Sequence, residues 1–202
     1  DSGNFDWSAT GKFKSLSAEE PEYHVLKFHD TFGPYAFIIY SIAVSLRDLG
    51  MTMAPQNAFQ TLLGLETLSL RMKKHVSNAR KISNWLEQHP KIDKVTYAGL
   101  KSSKYYDLAK SVLPKGAGAL FTISLKEGYE ACIKMINKLN LFSHVSNLGD
   151  TRSLIIHPAS TVHRQLTEQQ QINAGLAPNV IRLSIGIEDP KDLIDDLKQA
   201  LE

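Results

Sequence analysis

The sequence holds a single cysteine, Cys132, in 202 residues. One thiol excludes an intrachain disulfide framework and a cysteine-built zinc centre, and it suits a reducing compartment, the cytoplasm. Charge of either sign is in little excess: 23 Lys and Arg stand against 21 Asp and Glu, a formal net charge of +2 with the seven His neutral. So small a surplus argues against a dedicated nucleic-acid surface and against an anionic-membrane surface. Long apolar runs are also lacking. The most apolar stretch, residues 35–46, is too short and too dotted with hydroxyls to cross a bilayer. The opening residues, Asp1 to Trp7, lack the basic-then-apolar pattern of a targeting signal. A chain that begins with Asp1 rather than Met fits a piece of something longer.

What is present is an ordinary globular composition, 43% hydrophobic and 22% charged, enough to bury a core without staples. Residues 1–34 carry Gly, Pro, Ser and scattered aromatics without sustained periodicity and predict an irregular arm with one short strand at its start. Residues 35–49 predict a helix stopped by Gly50. The clearest element is a helix over residues 57–87, where Leu65, Leu68, Met72, Val76, Ala79, Ile82 and Leu86 recur at three- and four-residue steps. Such a length suits a spine between two domains, with the boundary inside it near residue 75. From Lys91 the grain shortens. Strands are expected at 94–97, 118–125, 142–148, 153–157 and 180–187, and helices at 105–112, 129–139, 167–173 and 190–201. Asp189 and Pro190 form an N-cap and first-turn pair. The pattern predicts a two-layer α/β domain with helices on one sheet face. On the last strand Ile181, Leu183, Ile185 and Ile187 are expected to point to the helices, and Arg182, Ser184, Gly186 and Glu188 to point away. Leu154 and Ile156 are likewise expected on the core face, with Ser153, Ile155 and His157 on the other.

Arg182 is the sharpest chemical candidate. A guanidinium held on a rigid strand suits bidentate capture of a carboxylate or phosphate, and Gly186 admits a close approach to the backbone. The alternative is an exposed arginine on an open sheet. Ser153 and the run His157-Pro158-Ala159-Ser160-Thr161 could rim a polar pocket, but the simpler reading is a loop satisfying its own backbone. His157 and His163 lack a third ligand at convincing spacing, so no metal is expected. Cys132 reads as a buried small hydrophobe on a helix rather than a nucleophile. Lys115-Gly116-Ala117-Gly118 reads as a turn rather than a phosphate loop. By physics alone this is an α/β domain with a candidate anion-binding arginine.

Five segments carry more: "FDWSATGKF", "AFIIYSIAVSLRDLGMTMAPQNAFQTLLGLETLSLRMKKH", "LPKGAGALFTISLK", "SLIIHPASTVH" and "NVIRLSIGIEDPKDLIDDL". Spread over almost the whole chain, they resemble the C-terminal half of the Cys/Met-metabolism family of pyridoxal-phosphate (PLP) enzymes. The first two favour its sulfhydrylase branch. The resemblance implies the C-terminal part of a fold-type I PLP-dependent transferase: residues 1–55 ending the large cofactor domain, 56–90 forming an interdomain helix, and 91–202 forming the small domain. It implies formation of homocysteine from O-acetylhomoserine and sulfide. It maps the family's carboxylate-binding arginine onto Arg182 and the serine of the same subsite onto Ser153, with Leu148 and Gly149 beside them. The family's Schiff-base lysine, ring-stacking aromatic, pyridine-pairing aspartate and phosphate loop all lie upstream of "DSGNFDW". No catalytic or cofactor-binding residue is therefore expected in this chain, and Lys12 and Lys14 are not substitutes. Pyridoxal 5'-phosphate is expected to be held through the N-terminal half, in a homotetramer. A cystathionine γ-synthase or methionine γ-lyase would use the same Arg182. Outside the family's chemistry, a non-catalytic association module and a generic small-molecule-binding domain remain as alternatives.

Overall fold

The computed structural model describes residues 4–202. The chain divides into two compact units, one running to Leu63 and the other spanning Gly64–Glu202. The division falls earlier in the helical segment than the expected residue 75.

The first unit is built from short helices: α1 (Lys14–Ser17), α2 (Phe28–Phe32), α3 (Ala36–Tyr40) and α4 (Arg47–Leu49), with a π-helical stretch, Ser41–Leu46, joining the last two. Leu16, Phe28 and Ala36 are its buried centre, wrapped by Trp7, Tyr23, Tyr40 and Val44. The Tyr23 hydroxyl donates to the Ala43 carbonyl inside the π-helical stretch. The expected helix over residues 35–49 is thus present in this irregular form. Gly50 ends it in the left-handed conformation at φ 66°, its N–H reaching the Leu46 carbonyl at 2.8 Å. The short strand expected near the chain start is not formed among the described residues 4–13, which are turns and irregular chain, and the arm expected to be irregular to residue 34 holds α1 and α2.

The expected long helix is two helices, α5 (Pro55–Glu66) and α6 (Leu68–Glu87), parted at Thr67. Thr67 leaves helical geometry at ψ 3°. The freed end of α5 is capped by Arg71, whose Nη2 donates to the Gly64 carbonyl at 2.6 Å. The other basic residues of this helix, Lys73, Lys74, Arg80 and Lys81, are exposed. Periodicity carries no information about a one-residue break, because both halves keep nearly the same phase.

The second unit holds one five-stranded sheet in the order β1-β2-β5-β4-β3: β1 (Ile92–Thr96), β2 (Leu120–Leu125), β3 (Ser143–His144), β4 (Leu154–Ile156) and β5 (Val180–Ser184). All pairings are antiparallel except β3 with β4. Helices α6, α8 (Tyr129–Lys138) and α10 (Pro190–Leu201) cover one face, while α7 (Tyr106–Val112) and α9 (Glu168–Asn173) are short connectors. The core joins Ala79, Ile82 and Leu86 of α6 to Cys132 and Met135 of α8, Leu193 and Leu197 of α10, and Phe121, Ile123, Ile181 and Leu183 of the sheet. This is the expected two-layer arrangement. The N-cap pairing is also as expected: Asp189 accepts the Lys191 N–H at 2.8 Å and Pro190 opens the helix.

One face assignment is overturned. Leu154 pairs with Ser184, Ile155 with Leu183 and Ile156 with Arg182. Directly opposed residues share a face, so Leu154 and Ile156 lie with Arg182, and Ile155 lies in the helix-covered core. The phase was unreadable from sequence because β4 is buried on both faces, all three residues being at most 2% exposed.

Candidate functional site

β5 is the middle strand, and Arg182 sits at its centre with Thr122 of β2 and Ile156 of β4 as its cross-strand partners. It projects from the face opposite the helix layer, as expected, because Ile181 and Leu183 on either side of it are fully buried in the core. The side chain is half-buried. Among the described residues its guanidinium has no ion-pair partner and no hydrogen bond. Burial draws its pKa down from the ordinary arginine range, yet a guanidinium stays charged at any physiological pH. A partly desolvated cation with five donors and no internal acceptor is suited to an external oxyanion, and its fork matches a carboxylate.

A loop reaches the same face. Gly149 donates its N–H to the Ser184 hydroxyl at 3.2 Å, and Ser184 projects two residues beyond Arg182 on one side of the strand. Gly149 has φ 72°, a conformation that favours glycine. Leu148 beside it is exposed, and its N–H donates to the Asn147 side chain at 2.9 Å. The contact brings Gly149 to the sheet face that Ser184 shares with Arg182.

Ser153 is placed differently. It is fully buried, and its alternation with Leu154 sets it apart from the Arg182 face. Its N–H donates to Glu188 Oε1 at 2.6 Å and its hydroxyl to Oε2 at 2.9 Å, while that hydroxyl accepts the Gly186 N–H at 2.9 Å. The shared-face argument for joining Ser153 to Arg182 falls, since Leu154 pairs with Ser184 and Ser153 alternates with it, and the serine hydroxyl donates to and accepts from the segment after β5. Gly186 does admit a close approach, as expected, but the approaching groups are the Thr151–Arg152 backbone and the Glu188 carboxylate.

Two residues that the sequence reading missed secure the same segment from α6. His75 Nδ1 meets the Ile185 carbonyl at 2.6 Å, which puts the hydrogen on Nδ1. Asn78 Nδ2 donates to the carbonyls of Gly186 at 3.1 Å and Glu188 at 2.8 Å. Asn78, expected on the basic side of the helix, is instead buried on the same stripe as His75, Ala79 and Ile82, where a polar side chain has to find a partner. The strand that carries Arg182 is thus pinned beyond its end by α6 and by the entry to β4. That is the preorganisation a binding cation needs.

The remaining candidates resolve as structure. His157 is fully buried, its ring nitrogens against Ser160 Oγ at 2.9 Å and the Pro178 carbonyl at 2.7 Å, and Thr161 Oγ1 donates to the His157 carbonyl at 2.7 Å. The loop satisfies itself. Among the described residues no group of three or more His, Cys, Asp or Glu could hold a metal. Cys132 is buried in α8, and desolvation pushes its thiol up to about 12. Gly116, at φ 126°, packs so tightly on Val76 that a β-carbon would overlap it, which makes its loop a turn against α6. Among the described residues no helix is long and apolar enough to cross a membrane.

Such a core carries, on the free face of its middle strand, an arginine with no ion-pair partner among the described residues. The chain belongs to the Cys/Met metabolism PLP-dependent enzyme family, which matches residues 16–202. Over its full length it is 45% identical to the O-acetyl-L-homoserine sulfhydrylase of Leptospira meyeri and 43% identical to O-acetyl-L-homoserine sulfhydrylase 1 of Thermus thermophilus, covering 48% of each relative. It is 43% identical to the homocysteine synthase of Schizosaccharomyces pombe, of which it covers 47%. A solved structure assigned to a Campylobacter jejuni O-acetylhomoserine (thiol)-lyase, which carries a pyridoxyl-lysine phosphate, superposes with a TM-score of 0.84 at 43% identity, over 96% of this chain and 46% of that one. The chain spans about half the length of the relatives it matches.

The family depends on pyridoxal phosphate. Among the described residues every lysine is exposed or half-buried, and none is assigned its covalent attachment.

Proposed function

We propose that this chain is the C-terminal part of a PLP-dependent O-acetylhomoserine sulfhydrylase, and that Arg182 binds the α-carboxylate of the substrate. The observation that carries the reading is the half-buried, unpaired guanidinium on a strand fixed at both neighbours. In the family the cofactor supplies an electron sink for carbanion chemistry at the substrate's α-carbon. Arg182 orients that carbon by holding the acid group beside it, so its contribution is positioning. The sulfhydrylase and homocysteine synthase names of the relatives favour O-acetylhomoserine and sulfide as reactants and a place in methionine biosynthesis.

In this reading residues 1–55 finish the large domain, 56–90 link the domains and 91–202 form the small one. The N-terminal half of the same enzyme is the natural partner. Its support is the surface of α5, where Phe59, Leu62, Leu63 and Leu65 are all more than half exposed and no residue is buried. A homotetrameric, cytoplasmic enzyme is part of the proposal, and the lone reduced cysteine favours that compartment.

The test is Arg182→Ala in the complete enzyme. Truncating one partner of a buried charge-assisted contact costs about 2–5 kcal/mol, so KM for O-acetylhomoserine should rise at least about tenfold. Arg182→Lys should be impaired too, because a point charge cannot reproduce the fork. A kcat/KM near wild type in Arg182→Ala overturns the assignment.

A further inference from the structure

The hydrogen bond between Gly149 and Ser184 does no work for the hydrophobic core. Ser184 lies on the face away from the helices, next in line to Arg182, and is only 5% exposed. Its hydroxyl accepts the Gly149 N–H at 3.2 Å. Gly149 precedes an exposed turn, tied by Asp150 and Arg152 at 3.3 Å, that leads into β4. On its other side stand Asn147 and Leu148, both exposed. The loop is therefore fastened to the sheet from above at one hydroxyl, one side-chain repeat from the guanidinium. Glu188 and Ser153 secure the far end of the same connection.

The geometry points to Ser184 as a positioning residue: it holds the 147–149 loop as a wall beside Arg182, so that a carboxylate meets the guanidinium in one orientation. The inference rests on the reading of Arg182 given above. Ser184 acts through Gly149 and is assigned no contact with substrate. Gly149 is the loop's half of the device. A β-carbon there meets nothing within 4 Å, so a substitution disturbs only the backbone conformation at φ 72°.

The experiment uses the complete enzyme with O-acetylhomoserine and sulfide. Ser184→Ala removes one neutral hydrogen bond and should raise KM for O-acetylhomoserine about fivefold, with kcat held within about twofold of wild type. Gly149→Ala should give the same split without touching Ser184. The double variant should be no worse than the poorer single one, because the two residues form one contact. Unchanged KM in Ser184→Ala, or additive effects in the double variant, overturns the inference. So does a matched fall in kcat, which marks general damage to the fold. Arg182→Ala in parallel separates the failures. If it raises KM while Ser184→Ala does not, only the loop's role is wrong. If it leaves KM unchanged, the carboxylate reading and this inference fall together.

Discussion

Ser153 and Glu188 hold each other by two hydrogen bonds, backbone N–H to Oε1 at 2.6 Å and hydroxyl to Oε2 at 2.9 Å. The pair ties the start of β4 to the segment that leaves β5, and the Gly186 N–H closes the arrangement on the same hydroxyl. A carboxylate that accepts two donors replaces the water it gives up, which makes it affordable in a partly buried place.

Ser153→Ala should therefore act on stability. It leaves one Glu188 oxygen and the Gly186 N–H without their partner, at a cost of about 1–3 kcal/mol. Urea unfolding of the complete enzyme measures it. KM for the amino-acid substrate should stay within about threefold of wild type. A large KM rise with unchanged stability would return Ser153 to the substrate subsite.

Gly186→Ala is expected to be worse than an ordinary surface change. Its β-carbon would overlap the Thr151 carbonyl and the Arg152 backbone, which cannot move like a side-chain tip. Overpacking of this kind costs about 1–3 kcal/mol. The same unfolding measurement reports it, and a midpoint equal to wild type would show that the strand end can shift.

Cys132 sets an alkaline limit. Its folded-state pKa is pushed up to about 12 by burial, whereas an unfolded cysteine ionises near about 8.5. The unfolded chain loses its proton first. The stability linked to this thiol is fully present below about pH 8.5 and declines as pH rises from there toward the folded value. Cys132→Ala should flatten that part of the stability-against-pH curve. In the native protein the thiol should resist a thiol-specific reagent at pH 8 and react after unfolding. Rapid labelling of the native state would contradict the burial.

Much of this was legible in the sequence. The alternation of Ile181, Leu183 and Ile185 against Arg182 and Ser184 gives the phase of β5, because one face is apolar and the other is not. Asp189-Pro190 gives the start of α10, because an N-cap oxygen and a proline serve the same exposed N–H groups. The break at Thr67 was hidden, since a single irregular residue hardly alters helical phase. The faces of β4 were hidden because Leu154, Ile155 and Ile156 are all apolar. The roles of His75 and Asn78 depend on carbonyls more than a hundred positions away.

Local order in the chain dictated which stretches become strand or helix, which residues are apolar enough to be core, and that one arginine stands on the polar side of a strand. These follow from side-chain chemistry repeated at a fixed step. Only the folded arrangement made β5 the middle strand, turned Ser153 toward Glu188 rather than toward Arg182, and brought Gly149 onto Ser184. Each of those outcomes pairs groups distant in sequence, and such pairings are chosen by the joint burial of the sheet and its helices, which no short window of residues contains.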